Sequence, residues 1–373
     1  MKIGIITYWQ SKSNYGQILQ MYALQQFLRK NGHEPFLIRY KEEVGGKAHF
    51  QWGHLMKYIT KLPQYTTWFL QNKIDQERIK KFSQKENLHD RHFEKFFKKN
   101  IAYTDLIYTA SQLKENPPEA DVYICGSDQI WGGRLTYFLD FVPDDKKKIA
   151  WAPSFGGMKQ WESEYEQQMA ALLKRFDFIG MREQSGVEVC QRLGRTDAVK
   201  VVDPTLLLDN NDYDRIRCKT RAEKPYAFVY ILTNTMSCRI EDIFSYVSSL
   251  GLDVKFVNNT EKGDKYEQLF PTIGEWIDLL AQSSLVITNS FHGTVFSLIY
   301  KRPFITIPLI GMYSRMNNRI DELLTMCHLN DRMYHRSFPK NDQSVDFSYF
   351  KEYYSSEGTR SRNILSPFIP LQN

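Results

Sequence analysis

SLVITNSFHGTVFSLIYKRPFITIPL, residues 284–309, sets the pattern from which the rest of the chain can be read. A β-branched run (SLVITNS, 284–290) turns through Gly293 and Thr294 into an apolar helix, and a second β-branched run follows (RPFITIPL, 302–309). Two such strands joined by a helix indicate a parallel pair with its crossover, because parallel neighbours need a connection long enough to return to the same end of the sheet. The first strand nevertheless ends in Asn289, Ser290 and His292, a polar cluster that a core does not need. The free N–H groups of Gly293, Thr294 and Val295 and the helix dipole would form an anion cradle, with Gly293 allowing a phosphate to approach and His292 beside it as general acid. The plainer alternative is that Ser290 or Asn289 caps the helix and His292 is a hydrogen-bonded, partly buried histidine.

The alternation extends in both directions. Strand-like runs occur at 2–8, 34–40, 121–126, 147–154, 176–182 and 199–204, and again at 226–232 and 253–259 before the quoted stretch. Helix-period segments lie between them, as in 19–32, where Leu24, Phe27 and Leu28 share a face and Gly32 supplies a stop. This is an α/β protein with parallel sheets. The charged passage RIRCKTRAEKP (215–225) ends in a proline that bars helix continuation, and divides the chain into units at 1–217 and 225–373, the second with a helical C-terminal tail. Residues 41–100 lack strand-like runs. Ile74, Ile79, Phe82, Phe93, Phe96 and Phe97 recur at helical intervals there among lysines, which indicates a helical insertion packed by its aromatic stripe, or alternatively an arm over the site.

A chain of 373 residues exceeds what one core usually organises, roughly 250–300 residues, so two units are expected on length alone. A hydrophobic content of 42% supports folding throughout. The formal charge of +6 is too diffuse for a nucleic-acid binder and suits anionic small substrates, while peripheral contact with an acidic membrane surface stays open. The five cysteines show no CxxC pair and no histidine at metal spacing, so neither a disulfide framework nor a metal site is expected. MKIGIITYW lacks the apolar core of a signal peptide, and no window approaches the ~20 apolar residues of a membrane span. The expectation is a cytoplasmic protein whose oligomeric state the sequence does not fix.

In parallel α/β sheets ligands bind beyond the carboxyl ends of strands, so the polar residues there are the candidates. SKSNYGQ (11–17) offers Asn14, Gly16 and Gln17 to a ligand between the units, and Tyr15 to a sugar face. CGSDQIW (125–131) offers Ser127 and Asp128; the aspartate would act as base toward a sugar hydroxyl or cap the next helix. Arg182 in GMREQS carries a planar fork suited to phosphate or carboxylate, and Asp203 before Pro204 shapes a turn. Arg315 and Arg319, four apart near a helix start, would close over an anion, unless Arg319 pairs with Asp321 or Glu322. GxGxxG and GxxxxGK[ST] are absent, which disfavours dinucleotide and P-loop sites.

NYGQILQMYALQQFLRKNGH (14–33), VYICGSDQIW (122–131), SFGG (154–157), GMREQSG (180–186), VVDPTLLL (201–208) and TNSFHGTVFSLIYKRPFI (288–305) follow one another in an order that resembles the polysaccharide pyruvyl transferase family. The resemblance runs from the first strand to about Asp331 and thins over 41–100. It implies two Rossmann-like domains facing a cleft, as in GT-B glycosyltransferases. It also implies transfer of a pyruvyl group from phosphoenolpyruvate to two hydroxyls of a cell-surface saccharide or its precursor, as a cyclic ketal, with no metal or organic cofactor. In such relatives the histidine matching His292 binds the donor or acts as acid, and the arginine matching Arg182 contacts donor anions. Some members carry Arg-x-His at this motif, whereas here Ser290 takes the arginine's place. Either Arg315 or Arg319 then substitutes, or the substrate differs. The alternatives are a GT-B glycosyltransferase using a nucleotide-sugar, with its diphosphate on the same helix, and a non-catalytic saccharide-binding homologue.

Overall fold

The computed structural model describes residues 1–42, 90–258, 267–339 and 344–371. All ten strand-like runs form strands, each strand shorter than the run it came from. The first unit holds β1 (Lys2–Ile6), α1 (Tyr15–Lys30), β2 (Glu34–Leu37), α2 (Phe93–Asn100), α3 (Ala110–Glu115) and β3 (Val122–Cys125). It continues with β4 (Lys147–Trp151), α4 (Ser163–Leu173), β5 (Phe178–Met181), α5 (Gln184–Arg192), β6 (Val199–Lys200) and α6 (Asn210–Asp214). The second holds β7 (Tyr226–Ile231), α7 (Ile240–Ser249), β8 (Asp253–Asn258), α8 (Ile273–Gln282), β9 (Leu285–Thr288), α9 (Phe291–Ile299) and β10 (Phe304–Thr306). Two further helices follow, α10 (Asn318–Met326) and α11 (Ser348–Leu365).

Both sheets are parallel throughout. Their orders are β2-β1-β3-β4-β5-β6 and β10-β9-β7-β8. Counted from its own first strand, each sheet sends its second strand to one side and its third and fourth to the other. The winding therefore reverses between β1 and β3, and between β7 and β9, which opens a crevice at the carboxyl end of each pair. Two Rossmann-like units are thus present, the GT-B-like arrangement expected. The crevices are edged by Gly126–Asp128 after β3 and by Asn289–His292 after β9.

One apolar core runs through the facing sides of both sheets, taking Ile3, Ile5 and Ile124 from the first and Phe228, Tyr230 and Val286 from the second. Separate cores cover the two outer faces. α1 and α9 meet inside the shared core. There Tyr15 stacks on Trp276 (5.3 Å, 14°) and stands edge-on to Tyr230 (5.8 Å). The passage 215–225, read as a linker, is fastened to α8: Arg217 Nε donates to Asp278 at 2.6 Å and the Thr220 N–H donates to the same carboxylate at 3.1 Å. The C-terminal tail, read as part of the second unit, packs back on the first. Phe368 lies 5.5 Å from Phe178, and Arg362 sits over Phe27.

Of the expected insertion, residues 43–89, including Ile74, Ile79 and Phe82, lie outside the described residues. α2 turns Phe93 and Phe97 into the shared core and sets Phe96 against Tyr22 at 5.8 Å. Among the described residues no helix is long and apolar enough to cross a membrane.

Candidate active site

The two crevices converge on a buried carboxylate, Asp203. It follows β6, and its Oδ1 accepts from the N–H (3.0 Å) and hydroxyl (2.7 Å) of Thr205, which caps the 3₁₀ turn Pro204–Leu207. Its Oδ2 accepts from Ser127 Oγ (3.0 Å) and Arg182 Nη1 (3.2 Å) and faces His292 Nε2 at 3.7 Å. Burial alone would raise the Asp203 pKa, but the facing His292, the Arg182 charge and the Thr205 N–H outweigh it and hold the carboxyl well below the usual range. One side chain thus joins residues from the ends of β3, β5 and β6 to the first turn of α9.

Arg182, expected as an open fork for donor anions, is enclosed, with its side chain 1% exposed. Besides Asp203 it faces Asp128 at 3.6 Å and Glu183 at 3.8 Å, so three carboxylates surround one guanidinium. Among the described residues only Nη1 of the guanidinium makes a hydrogen bond, and Nε and Nη2 have none. Glu183 is itself buried and accepts from Ser154 Oγ at 2.6 Å. A cation so matched by carboxylates has little charge left for a further anion. Arg182 here is first an ion-pair centre.

The anion cradle expected at α9 does not form. Ser290 caps the helix, its Oγ accepting from Gly293 N–H at 3.4 Å, and every residue of α9 is buried. A Cβ on Gly293 would overlap Thr288, so this glycine lets α9 lie on β9 and does not admit a phosphate. Thr294 is spent inside the core, on Ser290 O (3.2 Å) and Thr306 Oγ1 (2.9 Å). Asn289 ties β9 to the end of β7, accepting from Leu232 N–H at 2.8 Å.

His292 is 7% exposed, and among the described residues its Nε2 has no hydrogen bond. A Cβ on Gly16 would overlap its Nδ1, so the first turn of α1 rests directly on the imidazole. Asn14 caps that turn by accepting from Gln17 N–H at 3.2 Å. Tyr15, expected on a sugar face, is fully buried, and its hydroxyl donates to Pro271 O at 2.6 Å; an aromatic ring at a first helical turn faces the neighbouring core when one is in reach. Ser127 is also internal, its hydroxyl placed between Asp203 and Ala152 O (3.1 Å) and its N–H donating to Gln20 at 3.2 Å. Asp128 caps nothing, since a turn follows it. It takes a positive φ of 84° and keeps 15% of its side chain exposed beside Arg182.

The two distal arginines separate. Arg315 lies in the 3₁₀ helix Gly311–Asn317 and Arg319 in α10; three residues per turn in the first stretch breaks the common face that an α-helix would have given them. Arg315 is exposed and packs on the Gly157 loop. Arg319 points to the cluster, its guanidinium 5.4 Å from the Phe291 ring, which is also the distance of Arg182 from that ring. Among the described residues no carboxylate pairs with Arg319, and its hydrogen bond there is a long one to Met316 O at 3.4 Å. Glu322, expected as its partner, takes Lys200 at 2.7 Å. Burial, with the Arg182 charge adding, lowers the Arg319 pKa to about 10.

The family profile described as polysaccharide pyruvyl transferase matches residues 14–309. The chain belongs to that family. As a family member it is a transferase with a saccharide acceptor. No curated protein matches the sequence significantly. Among solved structures it is similar to UDP-N-acetylglucosamine 2-epimerases. For the putative enzyme of Listeria monocytogenes the identity is 11%, covering 100% of this chain and 91% of that one, with a TM-score of 0.47. The Rickettsia bellii enzyme gives 10%, 99% and 97%, with 0.47. That of Methanocaldococcus jannaschii gives 12%, 98% and 100%, with 0.46. Likeness this remote tells nothing of substrate.

The matched span of this pyruvyl transferase family member opens on Asn14 and holds Asp128, Arg182, Asp203 and His292, while Arg319 lies beyond it. Asp203 and Glu183 are the residues that sequence reasoning undervalued. Glu183 stands directly after Arg182, a residue it had singled out, and Asp203 it read only as the shaper of a turn; an acidic residue at each strand end was the available signal.

Proposed function

We propose that this protein transfers the pyruvyl group of phosphoenolpyruvate to two hydroxyls of a saccharide in a cell-surface polysaccharide or its precursor, forming a cyclic ketal and releasing phosphate. The observation that carries the reading is Arg319: a partly buried cation with a lowered pKa and no carboxylate partner among the described residues, beside Arg182, Asp203 and His292. An anion there relieves the desolvated charge, and phosphoenolpyruvate brings two anionic groups. Arg319 takes the part of the arginine that Ser290 replaces; Arg315, turned toward the Gly157 loop, does not.

His292 delivers a proton to the methylene carbon of the donor, and the resulting C2 cation is attacked by the first hydroxyl, whose proton passes to Asp128. Phosphate then leaves with the C2–O bond electrons, the second hydroxyl adds at C2, and its proton leaves with the phosphate. The proton taken up by Asp128 returns to His292 through solvent before the next cycle, so that one proton ends on carbon and one on phosphate, which balances the two hydroxyls consumed. Asp203 holds Arg182 and orients the imidazole. The cavity lined by Arg182, Asp203, Phe291 and Arg319 is about 20 Å³, so donor entry requires the α10 side to yield. No step needs a metal or organic cofactor, and a cytoplasmic site of action fits the donor's origin.

The test is phosphate release from phosphoenolpyruvate with a panel of galactosides and mannosides. Arg319→Gln is expected to raise the KM for phosphoenolpyruvate about tenfold or more, since a hydrogen bond to a charged group is worth roughly 1.5–3 kcal/mol. Unchanged KM removes Arg319 from the donor site. Release of nucleoside diphosphate from a UDP-sugar, with none of phosphate, replaces the reading by glycosyl transfer.

A further inference from the structure

Two cavities flank the loop between β1 and α1, away from the buried cluster. One, about 700 Å³, is lined by Trp9, Gln10, Lys12, Arg91, Glu94 and Phe97 among others. The other, about 370 Å³, is lined by Tyr8, Trp9, Gln10, Gln17, Tyr40 and Tyr137 among others. They share Trp9 and Gln10 and so lie side by side, two halves of a groove divided by these residues. We infer that this groove binds the saccharide acceptor, as a chain of sugars and not a single one; the assignment rests on the transfer proposed above.

The lining is what a polyhydroxylated, weakly charged ligand needs. The aromatic rings are fixed before a ligand arrives. Trp9 Nε1 donates to Tyr40 O at 2.8 Å, and Tyr137 holds Tyr8 and Tyr40 edge-on at 5.1 and 5.5 Å. Rigid aromatic faces give large contact area at little entropy cost. Gln10 and Gln17 carry side-chain amides that both donate and accept, which suits hydroxyls that both give and take hydrogen bonds, although Gln17 Nε2 already donates to Gln10 O at 3.4 Å. Among the described residues charges of both signs line the walls, Lys12 and Arg91 with Asp90 and Glu94, so the described lining sets up no single-sign field that would select a polyanion. Each cavity reaches the range of small-molecule sites, roughly 300–1,000 Å³, and the two together exceed what one sugar fills.

Position supplies the second argument. Gln17 lines the groove, and Gly16, one residue before it, lies against His292. The first turn of α1 therefore separates the groove from the proposed acid by the thickness of a single helical turn, and the end of a bound chain need only pass that turn to meet a donor beside His292.

The test applies the full chain to an array of neutral and acidic oligosaccharides and compares it with Gln10→Ala and Trp9→Leu. Wild type is expected to retain at least one glycan of two or more sugars. Both variants should bind that glycan at least tenfold more weakly, with their phosphoenolpyruvate-induced thermal shift unchanged. Trp9→Leu gives up a hydrogen bond; if it fails to fold, Gln10→Ala, on an exposed loop position, still decides. Retention of no glycan by wild type, or wild-type affinity in Gln10→Ala, overturns the assignment. The two proposals fail separately. Glycan binding that needs Gln10, without phosphate release from phosphoenolpyruvate, sinks the transfer and keeps the groove. Phosphate release whose saccharide KM ignores Gln10 and Trp9 sinks the groove and keeps the transfer.

Discussion

At the scale of single residues, Asp203 has the most to lose. Its carboxyl is held below its ordinary range, so the stability it contributes is present above the unfolded carboxylate value of about 3.9 and is lost as the pH falls below it toward the folded value. Asp203→Asn removes that charge while Arg182 stays buried. Breaking a buried pair costs about 3–5 kcal/mol, so the unfolding free energy from urea titration should fall by that much at pH 7 and by roughly 1 kcal/mol less at pH 3, about one pH unit below the unfolded carboxylate value. An equal loss at both pH values would mean that the charge is not what matters. The sequence put an aspartate before a proline at a strand end and rightly read a turn, since Thr205 is capped; it could not show that three strand ends and a helix from the other unit meet on the same carboxylate. Arg182 was legible as a strand-end arginine for a similar reason, and its three carboxylate neighbours were not, because only one of them, Glu183, is near it in sequence.

At the scale of elements, α1 and α9 form the contact on which the proposed chemistry depends. Gly16→Ala puts a methyl into the imidazole of His292. Overpacking of this kind costs about 1–3 kcal/mol, so the variant should stay folded while the transfer rate falls and the His292 ring signals shift in NMR. Activity retained with an unmoved ring would show that the helix can back away freely. The ten strands were all readable from β-branched runs, since a parallel strand buried on both faces, as most of these are, has little other composition open to it. The use of α9 was not readable. A strand-to-helix turn with glycine and threonine fits an anion cradle equally as well as a helix pressed on its own sheet, and only the neighbours of Gly293 and Thr294 distinguish them. The change from 3₁₀ to α geometry between Arg315 and Arg319 was likewise invisible to a four-residue spacing.

At the scale of the whole molecule, two units of the same winding share one core, with the 215–225 passage fastened to α8 and the C-terminal tail laid on the first sheet. Units so joined should unfold together, and far-UV circular dichroism and tryptophan fluorescence should give coincident urea transitions. Two separated transitions would show that the shared core is weaker than each unit's own. The pair of units could be read from length and from the repeated strand pattern; the closeness of their union could not, because nothing local marks Tyr15 as a residue of the opposite unit's core. That same residue makes the molecule its own optical gauge. Tyr15 belongs to one unit and Trp276, stacked on it and fully buried, to the other. Any parting of the units exposes the indole to water, so the colour of Trp276 emission, isolated by difference against Trp276→Phe, reads the separation directly without an attached label.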